Sequence, residues 1–267
     1  MLLTVNELSV FVRETGEPIV RNASFSLEKG KSLVILGQSG SGKTMTCQTI
    51  MGTLNRRLFT TSGEIVFTGR ELLSLHPQKQ REIYGAQIAL IPQNPMTALD
   101  PSARVGRQMR ETLFLHTGRK GTDADERLVI ALHQAGLGNP ETVLRCYPYM
   151  LSGGMLQRVL IAMALMVDAE LIVADEPTTA LDAKHRSEAV DAFVRLREQG
   201  AAILFVTHDF AAADRMGGSL LVMKDGRIIE RGAVSKVLSA PEHPYTRALI
   251  EASRLSAPHW ERSVLAC

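Results

Sequence analysis

The chain is predicted to be an α/β protein built on a mostly parallel sheet, with a helical subdomain inserted into it. Short apolar runs alternate with helical stretches in the first and last thirds of the sequence. A glycine-rich segment, Gly37 to Thr44, joins a strand-like run to a helical one. Between about Asn94 and Tyr149 the strand-like runs disappear.

In the opening third, Leu8 to Val12, Ala23 to Leu27 and Ser32 to Leu36 read as strands, separated by turn signals at Thr15-Gly16-Glu17-Pro18 and Lys29-Gly30-Lys31. From Lys43 to Leu54, Cys47, Ile50, Met51 and Leu54 fall at helical spacing, completing a strand, loop, helix unit. Ser62 to Gly69 reads as a short strand between turns, and Ile88 to Ile91 as a buried one. In the middle, Ala103 to Thr117 and Asp123 to Gly136 read as helices. The last third returns to alternation. Its strands are Leu171 to Ala174, Ala202 to Val206 and Leu220 to Met223, and its helices Lys184 to Gln199 and Phe210 to Met216. The segment after Pro241 is expected to form a small appendage.

With 45% hydrophobic and 22% charged residues in 267, the chain can bury a sizeable core, and disorder is not the default. The formal charge of +2, from 30 Lys and Arg against 28 Asp and Glu, lacks the basic excess of a phosphate-backbone binder, so no nucleic-acid partner is expected. No apolar stretch approaches the roughly 20 residues needed to cross a bilayer. The opening MLLTVNELSVFVRET has no secretory pattern, and a cytosolic location is expected. Cys47, Cys146 and Cys267 form no CxxC pair, which argues against a disulfide framework and a zinc site.

Gly37-Gln38-Ser39-Gly40-Ser41-Gly42-Lys43-Thr44 matches G-x-x-x-x-G-K-[ST] completely, in the strand-to-helix context that motif requires. Its glycines let the backbone curl so that N–H groups face the β- and γ-phosphates, and the helix start adds positive potential. Lys43 would neutralise phosphate charge, and the Thr44 hydroxyl would ligate Mg²⁺. A bare glycine turn needs neither residue at those positions. Alone, the loop says only that a nucleotide binds.

Leu171-Ile172-Val173-Ala174-Asp175-Glu176 is an apolar strand ending in two acids. At the carboxyl end of a central strand, Asp175 would hold Mg²⁺ and Glu176 would act as the general base on the attacking water. Two acids also commonly end a strand and cap a helix; the phosphate loop shifts the balance toward catalysis.

Leu151-Ser152-Gly153-Gly154-Met155-Leu156-Gln157-Arg158 resembles the LSGGQ signature of ABC ATPases, with Met155 in place of the usual glutamine. Other motifs follow the family's order. Gln93 in Ile91-Pro92-Gln93-Asn94-Pro95 is similar to the Q-loop, Ala180-Leu181-Asp182 to the D-loop, and His208 in Val206-Thr207-His208-Asp209 to the switch histidine. Phe11 falls near the place of the adenine-stacking aromatic, although an aromatic in a strand is usually core. The resemblance covers roughly residues 1 to 250. It implies a P-loop NTPase (RecA-like) core with an N-terminal antiparallel β part and an inserted α-helical subdomain. It divides the chain into residues 1–93 and 158–232 as the two parts of the ATPase core, 94–157 as the helical subdomain with the signature, and 233–267 as a C-terminal tail.

The resemblance further implies ATP as substrate with Mg²⁺ as cofactor. Glu176 and His208 would be catalytic. Gly37 through Thr44, Thr46, Phe11 and Gln93 would bind nucleotide, with Thr44, Gln93 and Asp175 around the metal. Ser152, Gly153, Gly154 and Asp182 would meet ATP held by a facing second ATPase subunit, identical or different. Two integral-membrane permease subunits would be driven from the cytoplasmic face of the membrane, with an extracytoplasmic substrate-binding protein acting indirectly. Gln93 through Pro101 and His243-Pro244-Tyr245-Thr246-Arg247-Ala248-Leu249 look like the peptide and nickel importer branch, and Ser152 through Ala164 is similar to a nickel-import ATPase subunit. Nickel or a related metal complex is thus the expected cargo, with di- or oligopeptides as the alternative. No nickel site is expected in the chain, since His76, His116 and His133 are scattered. A soluble ABC ATPase of DNA repair would carry a long heptad insertion or zinc modules, and a P-loop kinase would have no use for Ser152-Gly153-Gly154.

Overall fold

The structure is a computed structural model that describes residues 1–179 and 183–256. Ala180, Leu181, Asp182 and Cys267 lie outside the described residues. The chain opens with β1 (Leu3–Val12), β2 (Pro18–Leu27) and β3 (Ser32–Leu36), and the glycine loop then leads into α1 (Lys43–Ile50). Next come β4 (Phe59–Phe67), β5 (Arg70–Glu71), α2 (Pro77–Ile83) and β6 (Ile88–Ile91). Four helices follow, α3 (Val105–Thr117), α4 (Gly121–Gln134), α5 (Pro140–Arg145) and α6 (Gly153–Met166). The rest is β7 (Leu171–Asp175), α7 (Ala183–Glu198), β8 (Ala202–Thr207), α8 (Phe210–Met216), β9 (Ser219–Lys224), β10 (Arg227–Ala233), α9 (Val234–Ser239) and α10 (Pro244–Ser256).

Two sheets result. An antiparallel one has the order β2-β1-β4-β5; a six-stranded one has the order β10-β9-β3-β8-β7-β6 and is parallel except for β10. β1 and β2 are each ten residues long, well beyond the runs that alternation predicts. The reason is local: Glu7 and Asn22 sit at φ 48° and 50°, and the β1–β2 register shifts between Val5 and Leu8 and again between Leu8 and Val10. Each bulge breaks the two-residue period. Side chains satisfy the displaced backbone, with the Glu7 N–H donating to Ser24 Oγ (2.8 Å) and the Asn22 N–H to Ser9 Oγ (2.9 Å).

The central strands β3, β7 and β8 carry unbroken apolar runs, Leu33 to Leu36, Leu171 to Ala174 and Ala202 to Val206, because both faces of the parallel sheet are covered. Successive residues divide between two cores. Val34, Leu36, Ile172, Ala174, Ile203 and Phe205 join the helices on one face; Leu33, Ile35, Leu171, Val173, Leu204 and Val206 meet the antiparallel sheet and α1 on the other. The inserted helices share the first core through Met109, Leu113, Leu128, Leu132 and Val159. The segment after Pro241, expected as an appendage, is also tied in, since Ile250 is buried in that same core with Tyr245 and Leu249 packed against it. Phe205 packs edge-on against Phe193 of α7, with ring centroids 5.4 Å apart at 74°. Phe205→Ala is expected to cost about 3–5 kcal/mol in equilibrium urea unfolding. A cost under about 1 kcal/mol would contradict this packing.

Parallel register lines up the strand ends: Leu36 lies beside Thr207, Val206 beside Asp175, and Ala174 beside Ile91. The loops after β3, β8, β7 and β6 therefore leave the same edge of the sheet, where open α/β folds bind ligands.

Candidate active site

The loop after β3 depends on glycine at two positions. A Cβ on Gly37 would lie 2.4 Å from Met223 O and 2.7 Å from Ser41 Oγ. Gly42, at φ 100°, is the N-cap of α1 and supplies no side-chain cap, so the N–H groups of the first turn remain available to an anion. Lys43 follows and is 3% exposed. Its ammonium donates to the carbonyls of Gly37 (2.7 Å) and Gln38 (2.9 Å), and lies 3.5 Å from Glu176 Oε1. Burial draws its pKa below the ordinary lysine value, with the negative charge of Glu176 opposing.

Asp175 ends β7 and accepts a long hydrogen bond from the Thr44 hydroxyl, 3.4 Å. Burial pushes its carboxyl up from the usual value, the neighbouring Glu176 adds to the rise, and Thr44 and Lys43 oppose it. Glu176 turns out of the strand at φ 46°, a left-handed conformation costing a non-glycine residue roughly 1–3 kcal/mol. Its N–H donates to Val206 O at 2.9 Å, which fixes the turn against β8. Of its carboxylate oxygens, Oε1 faces Lys43, while Oε2 accepts from the Thr179 hydroxyl (3.1 Å) and lies 3.1 Å from His208 Nδ1. His208 follows β8 and is half-exposed. The Asp209 carboxylate caps α8 by accepting from the N–H groups of Ala211 (2.9 Å) and Ala212 (3.1 Å), which anchors the segment that presents the imidazole.

A cleft of about 220 Å³ is lined by Ile19, Ser39, Gly40, Gly42, Lys43, Thr44, Met45, Gln93 and Glu176. The cleft thus joins Gln93 and Glu176 to Ser39, Gly40, Gly42, Lys43 and Thr44 of the loop, with Asp175 reached through the Thr44 hydroxyl; Gly37, Gln38 and Ser41 do not line it. The structure does not bring Thr46 there. Two residues beyond Thr44 along the helix, Thr46 faces the interior, fully buried, with its hydroxyl donated to Gly42 O at 3.0 Å. Met45 lines the cleft instead. Phe11 is not among the lining residues; its β2 partner is Pro18, and the next residue, Ile19, reaches the cleft. Nothing in the sequence separated Ile19 from an ordinary strand residue. Ser152, Gly153 and Gly154 are also absent from the cleft. Ser152 caps α6 by accepting the Met155 N–H at 3.3 Å, and the space around Gly153 is open. Asp182 lies outside the described residues.

Thr44 and Asp175 present hard oxygen donors side by side, with the Gln93 amide lining the same cleft, a donor set suited to Mg²⁺. Uncapped N–H groups and a buried lysine suit a triphosphate, and a carboxylate held by three side chains suits a base.

A sequence model described as ABC transporter matches residues 20–179. The chain is similar to the metal-staphylopine import system ATP-binding protein CntD of Staphylococcus aureus, 40% identical over 97% of this chain and 96% of that one. It is also similar to the dipeptide transport ATP-binding protein DppD of Lactococcus lactis, 41% identical over 87% of this chain and 67% of that one. Among solved structures, a dimeric ATP-binding cassette in a post-hydrolysis state, bound to ADP and Pi, matches with a TM-score of 0.75 and 26% identity over 87% of this chain and 98% of that one. With the ordered motifs and the cleft they line, these similarities identify the chain as a member of the ABC transporter family, an ATP-binding subunit whose ATP hydrolysis is coupled to transport.

Proposed function

We propose that this chain powers an importer of a metal complex, nickel or a related chelate, through separate membrane subunits, and that its site residues act as follows. The N–H groups of Gly40 through Thr44 and the Lys43 ammonium take the β- and γ-phosphates, Lys43 exchanging its carbonyl partners for phosphate oxygens. Thr44 and Asp175, with Gln93, would hold Mg²⁺, which screens phosphate charge when bound. Glu176 accepts the proton of the attacking water, and His208, hydrogen-bonded to it, meets the γ-phosphate. Ser152 through Gly154 close on ATP held by a second ATPase subunit, and the chain sits at the cytoplasmic face of the membrane. Among the described residues no helix is long and apolar enough to cross a membrane, so the pathway is assigned to the permease subunits.

The observation that carries this reading is the convergence of Lys43, Thr44, Glu176 and Gln93 on one cleft, with Asp175 hydrogen-bonded to Thr44. The cargo assignment draws on the metal-complex importer matched across nearly all of both chains, while the 41% identity to a dipeptide importer supports peptides as the second reading. The test is to purify the chain with its membrane partners, reconstitute them in vesicles, and measure ATP-dependent uptake of chelated nickel against dipeptides. Uptake of peptide alone would replace the first cargo by the second. Copurification with nucleic acid and no membrane protein would overturn the transport reading.

A further inference from the structure

The phosphate loop is held from outside the cleft as well as from within. On one side is the turn between β9 and β10, where the Gly226 N–H donates to Ser41 O at 3.2 Å and Gly226 O accepts the Arg21 N–H at 2.8 Å. That contact is backbone only. A second hold comes from a side chain more than two hundred residues away in sequence: Tyr245, in the first turn of α10, donates its phenolic O–H to Gln38 Oε1 at 3.2 Å.

The tyrosine is itself well placed. The Lys224 ammonium, at the end of β9, lies 4.8 Å from its ring centroid, a cation–π contact. The segment entering α10 is pinned by Glu230, whose carboxylate accepts the N–H groups of Glu242 (2.7 Å) and His243 (3.2 Å). Thr246 and Ile250, on the inner face of α10, are buried. Gln38 is thus engaged at both ends, its side chain by Tyr245 and its carbonyl by Lys43.

We propose that α10 is a clamp on the phosphate loop, with Tyr245 as a positioning residue that holds Gln38, and through it the loop, in the conformation that receives ATP. The clamp acts on the loop's shape. Losing it lets the loop sample other conformations when empty, which weakens ATP binding by the fraction of time the competent shape is lost and leaves the chemical step alone. This rests on the assignment of the Gly37 to Thr44 loop to the ATP phosphates.

Tyr245→Phe removes only the hydroxyl. In the full-length protein it is expected to raise the Kd for a fluorescent ATP analogue and the KM for ATP by about two- to tenfold, as for loss of one ordinary hydrogen bond, with kcat at saturating ATP within about twofold. Gln38→Met, within the nucleotide loop itself, is expected to raise Kd at least as much, and adding Tyr245→Phe to it should cause no further loss. Unchanged Kd and KM, independent effects that multiply in the double variant, or a fall in kcat at constant KM would each overturn the clamp. Lys43→Ala is run alongside. If it abolishes analogue binding while Tyr245→Phe has no effect, the clamp alone fails. If Lys43→Ala binds normally, the phosphate assignment fails and the clamp with it.

Discussion

Glu176→Gln is expected to leave ATP binding to the subunit within a few-fold of the native protein and to lower its turnover by about 10²–10⁴-fold. The amide keeps the size of the side chain and an oxygen for the Thr179 hydroxyl, so the turn after β7 has no reason to collapse. It loses the ability to take a proton. It also releases Lys43 from its 3.5 Å ion pair, which leaves the ammonium freer to turn to phosphate and is the reason binding survives. Analogue binding by fluorescence and phosphate release under saturating ATP measure the two effects separately. Turnover like that of the native protein would remove Glu176 from the role of base and leave His208, 3.1 Å away, as the group to test next.

Ser152→Glu has an expected effect of similar size by a different route. The substitution adds a negative charge at the open start of α6, a position where an acidic side chain is favourable to the helix itself, so the fold should hold. A second subunit's ATP would meet that carboxylate in place of a hydroxyl and N–H groups, and like charges repel strongly in a closed interface. Hydrolysis should fall by about 10²-fold or more, the scale of losing one well-placed transition-state hydrogen-bond donor, while the isolated subunit still binds ATP, because no residue of Ser152 to Gly154 lines its own cleft. Retained hydrolysis would count against closure over Ser152. Loss of binding in the isolated subunit would place Ser152 on its own nucleotide.

Much of the site was legible because its chemistry sits in contiguous stretches. The loop from Gly37 to Thr44 and the strand ending at Asp175 and Glu176 name their own neighbours, since parallel strands put their carboxyl ends together. Ile88–Ile91 and Phe210–Met216 have the bounds that their apolar patterns predict. What escaped depended on tertiary geometry. The bulges at Glu7 and Asn22 hid half of β1 and β2, and Thr46, which the resemblance implied as a nucleotide contact, is turned inward by the helix. Tyr245 lay within a motif that suggested a branch of the family but no role, and its partner Gln38 lies at the other end of the chain. One miss had a local signal: Asp225 and Gly226, at φ 47° and 77°, form the two-residue turn that Asp-Gly favours, and β10 follows it.

The left-handed backbone at Glu176 ties two properties of the protein to one residue. Glycine there would relieve roughly 1–3 kcal/mol of torsion, but would also delete the carboxylate that faces the buried Lys43 ammonium and accepts from Thr179. Leaving that ammonium without its counter-charge costs about 3–5 kcal/mol, more than the torsion returns. The strain at position 176 is therefore held in place twice over, by the ion pair in the empty subunit and by the need for a proton acceptor in the working one.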